Sequence, residues 1–140
     1  MTIMGLDLGT KRIGIAVSDE LNSIAHAIGV FPFQQKEFFF KRLAQVVEER
    51  QVQELVVGIP VNMNGSLGPK AKEALEFVES LKTHFRLPVH PWDERLTTLQ
   101  GTKLLVEAGL SRKRRHRVID SLAAQILLQG YLDSKGDNQR

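Results

Sequence analysis

The sequence contains no cysteine. That excludes disulfides, thiolate zinc sites and a cysteine nucleophile. No apolar run approaches about 18 residues, so nothing reads as a membrane-spanning helix. The start, Met1-Thr2-Ile3-Met4-Gly5, lacks the basic region of a signal peptide, and the expected location is the cytoplasm. There are no repeats, low-complexity segments or linkers. The four histidines, His26, His84, His90 and His116, show no metal-ligand spacing and are expected to be structural or exposed. Trp92 is expected in the core or at its rim. No Ser-His-Asp pattern is present.

What remains is a chain of 140 residues, 42% hydrophobic and 25% charged. Residues 1–140 suit one globular domain with a core large enough to need no staples. The polar tail, Ser134 to Arg140, is expected to fray. The net charge is +3, unevenly spread. Residues 1–100 hold 11 Lys and Arg against 12 Asp and Glu, a balance of −1. Residues 101–140 hold 8 against 4, a balance of +4. Much of the excess is one run, Ser111-Arg112-Lys113-Arg114-Arg115-His116-Arg117. Such a run is either a solvated loop or a patch for an anionic partner, nucleic acid above all.

Ile3 to Leu8 reads as a strand, followed by a turn at Gly9-Thr10-Lys11. Arg12 to Ser18 alternates Ile13, Ile15 and Val17 with Gly14, Ala16 and Ser18, a second strand. A third covers Ala25 to Phe31. Glu37 to Arg50 is helical, with Phe39, Leu43, Val46, Val47 and Arg50 in one stripe. Glu54 to Ile59 is an apolar strand buried on both faces. Pro69 opens a helix whose inner face is Ala71, Ala74, Leu75, Val78, Leu81 and Phe85. Leu87 to Asp93 is a fifth strand. Thr97 is a candidate N-cap with Gln100 completing a capping box, and Gly109 a helix end. Val118 to Asp133 is a last helix. The sum is an α/β fold: a mixed five-stranded sheet, an antiparallel three-strand meander plus two parallel strands, with helices on both faces.

Three carboxylates are candidates for chemistry. Asp7 shares a strand face with Ile3 and Gly5, and Asp is depleted in strands. Gly5, with Gly14 and Ala16 on the partner strand, leaves room for another backbone. The structural alternative is a bond to the turn at Gly9-Thr10. Glu94 lies at the carboxyl end of the fifth strand, where open α/β sheets place ligands. Asp93 and Glu94 point to opposite faces, so at most one can join Asp7. The alternative for Glu94 is a salt bridge to Arg95 or charge near a helix N-terminus. Asp120 shares a helical face with Ala123, Ala124 and Leu127. It is either an inward acid that wants a cation or, if the helix starts near Val118, a capping acid.

Three converging carboxylates repel unless a divalent metal lies between them, and hard oxygen ligands suit Mg²⁺ or Mn²⁺. Two such ions about 3.5–4 Å apart can clamp both oxygens of a phosphodiester displacement. Asn62 and Asn64, in the loop after the fourth strand, are candidate phosphate donors or ordinary turn residues. The other candidate nucleic-acid contacts are Thr10, Lys11, Arg95, Arg112, Lys113, Arg114, Arg115 and Arg117.

Gly5-Leu6-Asp7-Leu8-Gly9-Thr10-Lys11-Arg12-Ile13-Gly14-Ile15-Ala16-Val17-Ser18-Asp19 resembles the opening of the YqgF-type family. These are bacterial resolvase-like proteins regarded as nucleases for the 5′ end of pre-16S ribosomal RNA. Val57-Gly58-Ile59-Pro60-Val61-Asn62-Met63-Asn64-Gly65, Trp92-Asp93-Glu94-Arg95-Leu96-Thr97-Thr98 and Asp120-Ser121-Leu122-Ala123-Ala124 look like its later motifs, in order. The resemblance implies an RNase H-like fold, metal-dependent cleavage of nucleic acid, and acidic positions at Asp7, Glu94 and Asp120. Pre-rRNA or branched DNA, and ribosomal precursor particles, are the implied partners. A resolvase acting on branched DNA should be a dimer; monomer and homodimer both stay open. Asp7-Leu8-Gly9-Thr10 also resembles the first phosphate loop of the actin and sugar-kinase superfamily, which binds ATP between two such domains. A catalytically silent nucleic-acid binder is the remaining alternative.

Overall fold

The computed structural model describes residues 1–96 and 112–138, with the backbone alone at 112–120 and 137–138. In chain order the elements are β1 (Thr2–Leu8), β2 (Arg12–Ser18), β3 (Ala25–Pro32), α1 (Lys36–Glu49), β4 (Val52–Ile59), α2 (Pro69–His84) and β5 (Val89–Asp93). A 3-10 turn (Glu94–Leu96) and α3 (Arg112–Asn138) follow. The strands form one sheet in the order β3-β2-β1-β4-β5. β1, β2 and β3 run antiparallel, while β4 pairs parallel with β1 and β5 parallel with β4. The expected meander plus two parallel strands is therefore the sheet that forms. Its parallel members, β1, β4 and β5, all end on one edge.

Side-chain alternation divides the core in two. Met4, Leu6, Ile13, Ile15, Leu55, Val57 and Val89 face α1 and α2, meeting Phe39, Leu43, Ala74 and Leu81. Ile3, Ala16 and Val56 face the other way, against Ala124, Leu127, Leu128 and Tyr131 of α3. Each buried leucine there contributes on the order of 2 kcal/mol. The helix lies close because Gly5 has no side chain: a Cβ there would stand 2.9 Å from the Leu128 Cβ. The face under α3 thus carries Ile3-Gly5-Asp7 on β1, Glu54-Val56-Gly58 on β4 and His90-Trp92 on β5. Trp92 packs half-buried at the rim of this cluster.

Several boundaries differ from the sequence reading. α3 begins by Arg112, not Val118, so most of the basic run is helical and Asp120 lies well inside the helix. The polar tail is helix as far as Asn138. Ser134 Oγ donates to the Tyr131 carbonyl at 3.0 Å, and Lys135 reaches back to Glu54 at 3.1 Å. Those bonds hold a segment whose composition suggests fraying. β5 starts at Val89 rather than Leu87. Phe40 and Phe77, off the expected stripes, are buried, while Arg50 falls outside α1 as its C-cap. The Thr97–Gln100 capping box and the Gly109 helix end lie outside the described residues, as does Ser111 of the basic run.

Candidate active site

Asp7 is the third residue of β1 to face α3, at the strand's carboxyl end. Its register partner on β2 is Gly14. On the other side, β4 pairs Val57 with Leu6, and the next step sets Gly58 beside Asp7. Two glycines therefore flank the carboxylate, so neither neighbouring strand sets a side chain directly beside it. Asp7 lines a cleft of about 300 Å³ with Gly9, Thr10, Lys11, Arg12 and Gly14. Thr10, Lys11 and Arg12 are exposed at its mouth.

Glu94 enters from β5, two strands away. It has the same parity as His90 and Trp92, so it falls on the Asp7 face, and the two carboxyls are hydrogen-bonded to each other. Burial pushes the Glu94 carboxyl up to about 8, with the bond to Asp7 and the charges of Asp7 and Asp93 adding to the rise. Near neutral pH the pair therefore keeps a proton, shared in the bond between the two carboxyls. This is how two like charges tolerate close contact in a partly dry place.

Asp93 takes the role that the sequence left open for Glu94. Arg95 grips it, with Nη2 2.7 Å and Nε 3.0 Å from Oδ2. Those bonds hold the Asp93 carboxyl below its ordinary value. Arg95 Nη1 also donates to the Asn62 carbonyl at 3.3 Å, tying the β5 end to the loop after β4. The guanidinium, a candidate nucleic-acid contact, is engaged in these bonds. Asn62 and Asn64 are likewise engaged in turn chemistry. Asn62 Nδ2 donates to Ser66 Oγ at 3.0 Å, and Asn64 Oδ1 accepts from Ser66 N at 3.0 Å and from its hydroxyl.

Asp120 sits on α3 one turn before Ala124, the residue whose carbonyl lies over Gly5. Leu127 lies over Gly58, while Tyr131 bonds Glu54, so the helix runs antiparallel to β4 and carries Asp120 toward the Asp7 end. A capping role at Val118 is closed to it by the longer helix. The side chains of Asp120 and of Arg112, Lys113, Arg114, Arg115 and Arg117 lie outside the described residues. The structure thus brings Asp7 and Glu94 together and places Asp120 on the facing helix.

Glu54 escaped the sequence reading. It is buried at the far end of the same face, where Tyr131 Oη, Lys135 Nζ at 3.1 Å and His90 Nε2 at 2.8 Å converge on its Oε1. The one available signal was a carboxylate opening an otherwise apolar strand. Its partners are 36 to 81 positions away, so spacing could not reveal them.

Among the described residues no three metal-ligating side chains cluster. The Asp7–Glu94 pair still fits a hard divalent cation: its donors are all oxygen, and a cation would offset the burial and the like charge that raise the Glu94 carboxyl.

A family model described as RuvX, Holliday junction resolvase, matches residues 1–134. A Geobacillus sp. (strain WCH70) protein named "Putative pre-16S rRNA nuclease" is 47% identical over 137 residues, covering 96% of this chain and 99% of its own. A Bacillus thuringiensis (strain Al Hakam) protein of the same name is 43% identical, covering 96% and 100%. Among solved structures, T. thermophilus RuvC in complex with Holliday junction substrate superposes with a TM-score of 0.57 at 17% identity, over 97% of this chain and 96% of that one. The Fowlpox virus resolvase in complex with Holliday junction DNA gives 0.58 at 12%, over 96% and 99%. At such identities the likeness shows the fold, and it is the RNase H-like fold that the sequence motifs implied.

Proposed function

The chain belongs to the RuvX family, described as Holliday junction resolvases, and on that premise we propose a divalent-metal-dependent nuclease that hydrolyses phosphodiester bonds of pre-16S ribosomal RNA near its 5′ end. Its expected setting is the cytoplasm, on ribosomal precursor particles. One observation carries the reading: Asp7 and Glu94, from strands that are not neighbours, meet as a proton-sharing carboxyl pair at the edge where the parallel strands end. The choice of RNA follows relatives at 43–47% identity that bear that name.

Asp7, Glu94 and Asp120 would hold Mg²⁺ or Mn²⁺. Such an ion supplies Lewis acidity toward the phosphodiester and its attacking water. The chain's own groups account for the rest. Glu94 shares the pair's proton with Asp7, and binding of a cation would favour its release. Asp7, fixed in the sheet between two glycines, would be the most rigidly held ligand of that cation. Lys11 and Arg12 at the cleft mouth, Thr10 between Asp7 and them, and the cations of α3 bind phosphates on either side of the scissile bond.

The second reading is a resolvase of branched DNA. The fold likeness to two junction resolvases, over at least 96% of this chain, favours it. It requires a dimer to cut two symmetric strands. The test is incubation with precursor rRNA and with four-way DNA junctions, each with Mn²⁺ and with chelator. The proposal expects Mn²⁺-dependent cleavage of the RNA. Cleavage of the junction alone, by a dimer, moves the assignment to the second reading. Binding of either substrate without cleavage would leave a silent nucleic-acid binder and overturn both.

A further inference from the structure

We propose that Gly58 is a positioning residue for Glu94, its missing side chain being the slot through which the Glu94 carboxyl crosses β4 to meet Asp7. The need for a slot follows from the sheet order. β4 stands between β5, which delivers Glu94, and β1, which carries Asp7. Neighbouring strands are about 4.8 Å apart, so a glutamate from the β5 end reaches β1 only by lying across β4. Where it lies is Gly58, which pairs with Trp92 on one side and stands level with Asp7 on the other.

A Cβ at position 58 would be 2.4 Å from Glu94 Oε1 and 3.0 Å from its Cγ. Both are closer than a side-chain carbon can comfortably approach. The third neighbour is Leu127 Cδ2 at 3.0 Å, the far end of a flexible side chain. The backbone at Gly58 is ordinary strand: the glycines with positive φ are Gly29 and Gly65. Position 58 therefore demands glycine for volume and not for backbone freedom. Gly5, on the neighbouring strand β1 and the same face, makes room for a helix; Gly58 makes room chiefly for a carboxylate.

Two consequences follow. Any side chain at 58 displaces the Glu94 carboxyl from Asp7 while leaving the glutamate in the chain. A carboxyl grown from position 58 itself would occupy the vacated volume once Glu94 is truncated. The inference rests on the reading of Asp7 and Glu94 as ligands of a divalent cation, and the test separates the two.

Mn²⁺ titration calorimetry is run on wild type, Gly58→Ala, Glu94→Ala and the double variant Gly58→Asp with Glu94→Ala, with melting temperature recorded for each. Gly58→Ala should weaken Mn²⁺ binding about ten- to a hundredfold, the scale of losing a ligand's orientation. The double variant should recover binding to within about tenfold of wild type. Wild-type affinity in Gly58→Ala with loss in Glu94→Ala overturns the inference and spares the site. Wild-type affinity in both overturns the site reading itself. Stability supplies a second readout: Gly58→Ala should lower the melting temperature more in wild type than beside Glu94→Ala, where the clashing atoms are gone. Equal losses, or failure to fold in both backgrounds, would assign position 58 to packing against Leu127 and overturn the proposal.

Discussion

Glu54 and Glu94 occupy opposite ends of the sheet face that α3 covers, and their charges are treated in opposite ways. Glu54 is the more buried, at 5% exposed, against a half-buried Glu94. Burial alone would push both carboxyls up. For Glu54 burial does act in that direction, but hydrogen bonds from Tyr131 and Lys135 and the charges of Lys135 and His90 outweigh it, and the carboxyl ends below its ordinary value. For Glu94 burial acts in the same direction, and among the described residues Asp7 and Asp93 add to the rise. Burial therefore does not separate a structural acid from a functional one. What separates them, among the described residues, is whether a cation of the chain is bonded to the carboxyl. At the Glu54 end one is, Lys135 from α3. At the Glu94 end the described residues bring a second acid, an arrangement suited to a cation from outside.

The contrast is broken most severely by neutralising the acids of the Glu94 end. Asp7→Asn, Glu94→Gln and Asp120→Asn should each cut Mn²⁺-dependent cleavage by about a hundredfold or more. Glu54→Gln should leave the rate per folded molecule unchanged. Full activity in any one of the three would remove that residue from the site.

Next in size is the expected effect on substrate affinity of the cations proposed at the start of α3. Replacing Arg112, Lys113, Arg114 and Arg115 with Ala should flatten the log–log salt dependence of binding by roughly three to four if all four meet duplex phosphates. Both carboxyl ends should keep their behaviour. An unchanged slope, measured by fluorescence anisotropy across salt, would make the run a solvated helix end.

Stability should then move in opposite directions at the two ends. Glu54→Gln weakens the bonds to Tyr131 and Lys135 and should cost about 1–3 kcal/mol at pH 7 in a denaturant titration. For Glu94 the folded-state value lies above the unfolded one, so the folded chain binds the extra proton. Its contribution is full below about pH 4.5 and is lost as pH rises through about 8. Wild type should therefore lose stability across that window without metal. Glu94→Gln should flatten the loss and melt several degrees higher at pH 9, for a gain of about 1–2 kcal/mol. Parallel pH profiles for the two proteins would deny the carboxyl pair its strain.

The legibility of the two ends in sequence follows from the same physics. Asp7 stood out because an acid in a strand with glycine beside it is a local oddity, and Glu94 because a strand's end is a known place for ligands. Parity told only that Asp93 and Glu94 face opposite ways; the register of β5 on β4 is what gives Glu94 the Asp7 face. The sheet was legible for a similar reason: period-two alternation in β1 and β2 and helical crossovers before β4 and β5 are local signals. Glu54 was not legible, since its partners come from β5 and the far end of α3. The same bonds explain the tail, where Lys135 looks like a solvated residue until Glu54 is placed beside it. Phe40 and Phe77 were missed because burial there depends on how α1 and α2 meet, with Phe40 stacking on His84 at 4.0 Å between centroids.

The central claim, that the Glu94 end is a cation site and the Glu54 end is not, is tested most directly by Mn²⁺ calorimetry at pH 7 in buffers of different ionisation enthalpy. Wild type and Glu54→Gln should bind Mn²⁺ alike and release close to one proton, about the share that Glu94 holds in the free protein. Glu94→Gln should lose both the binding and the proton. Equal Mn²⁺ binding by wild type and Glu94→Gln, with no proton released by either, would contradict the account.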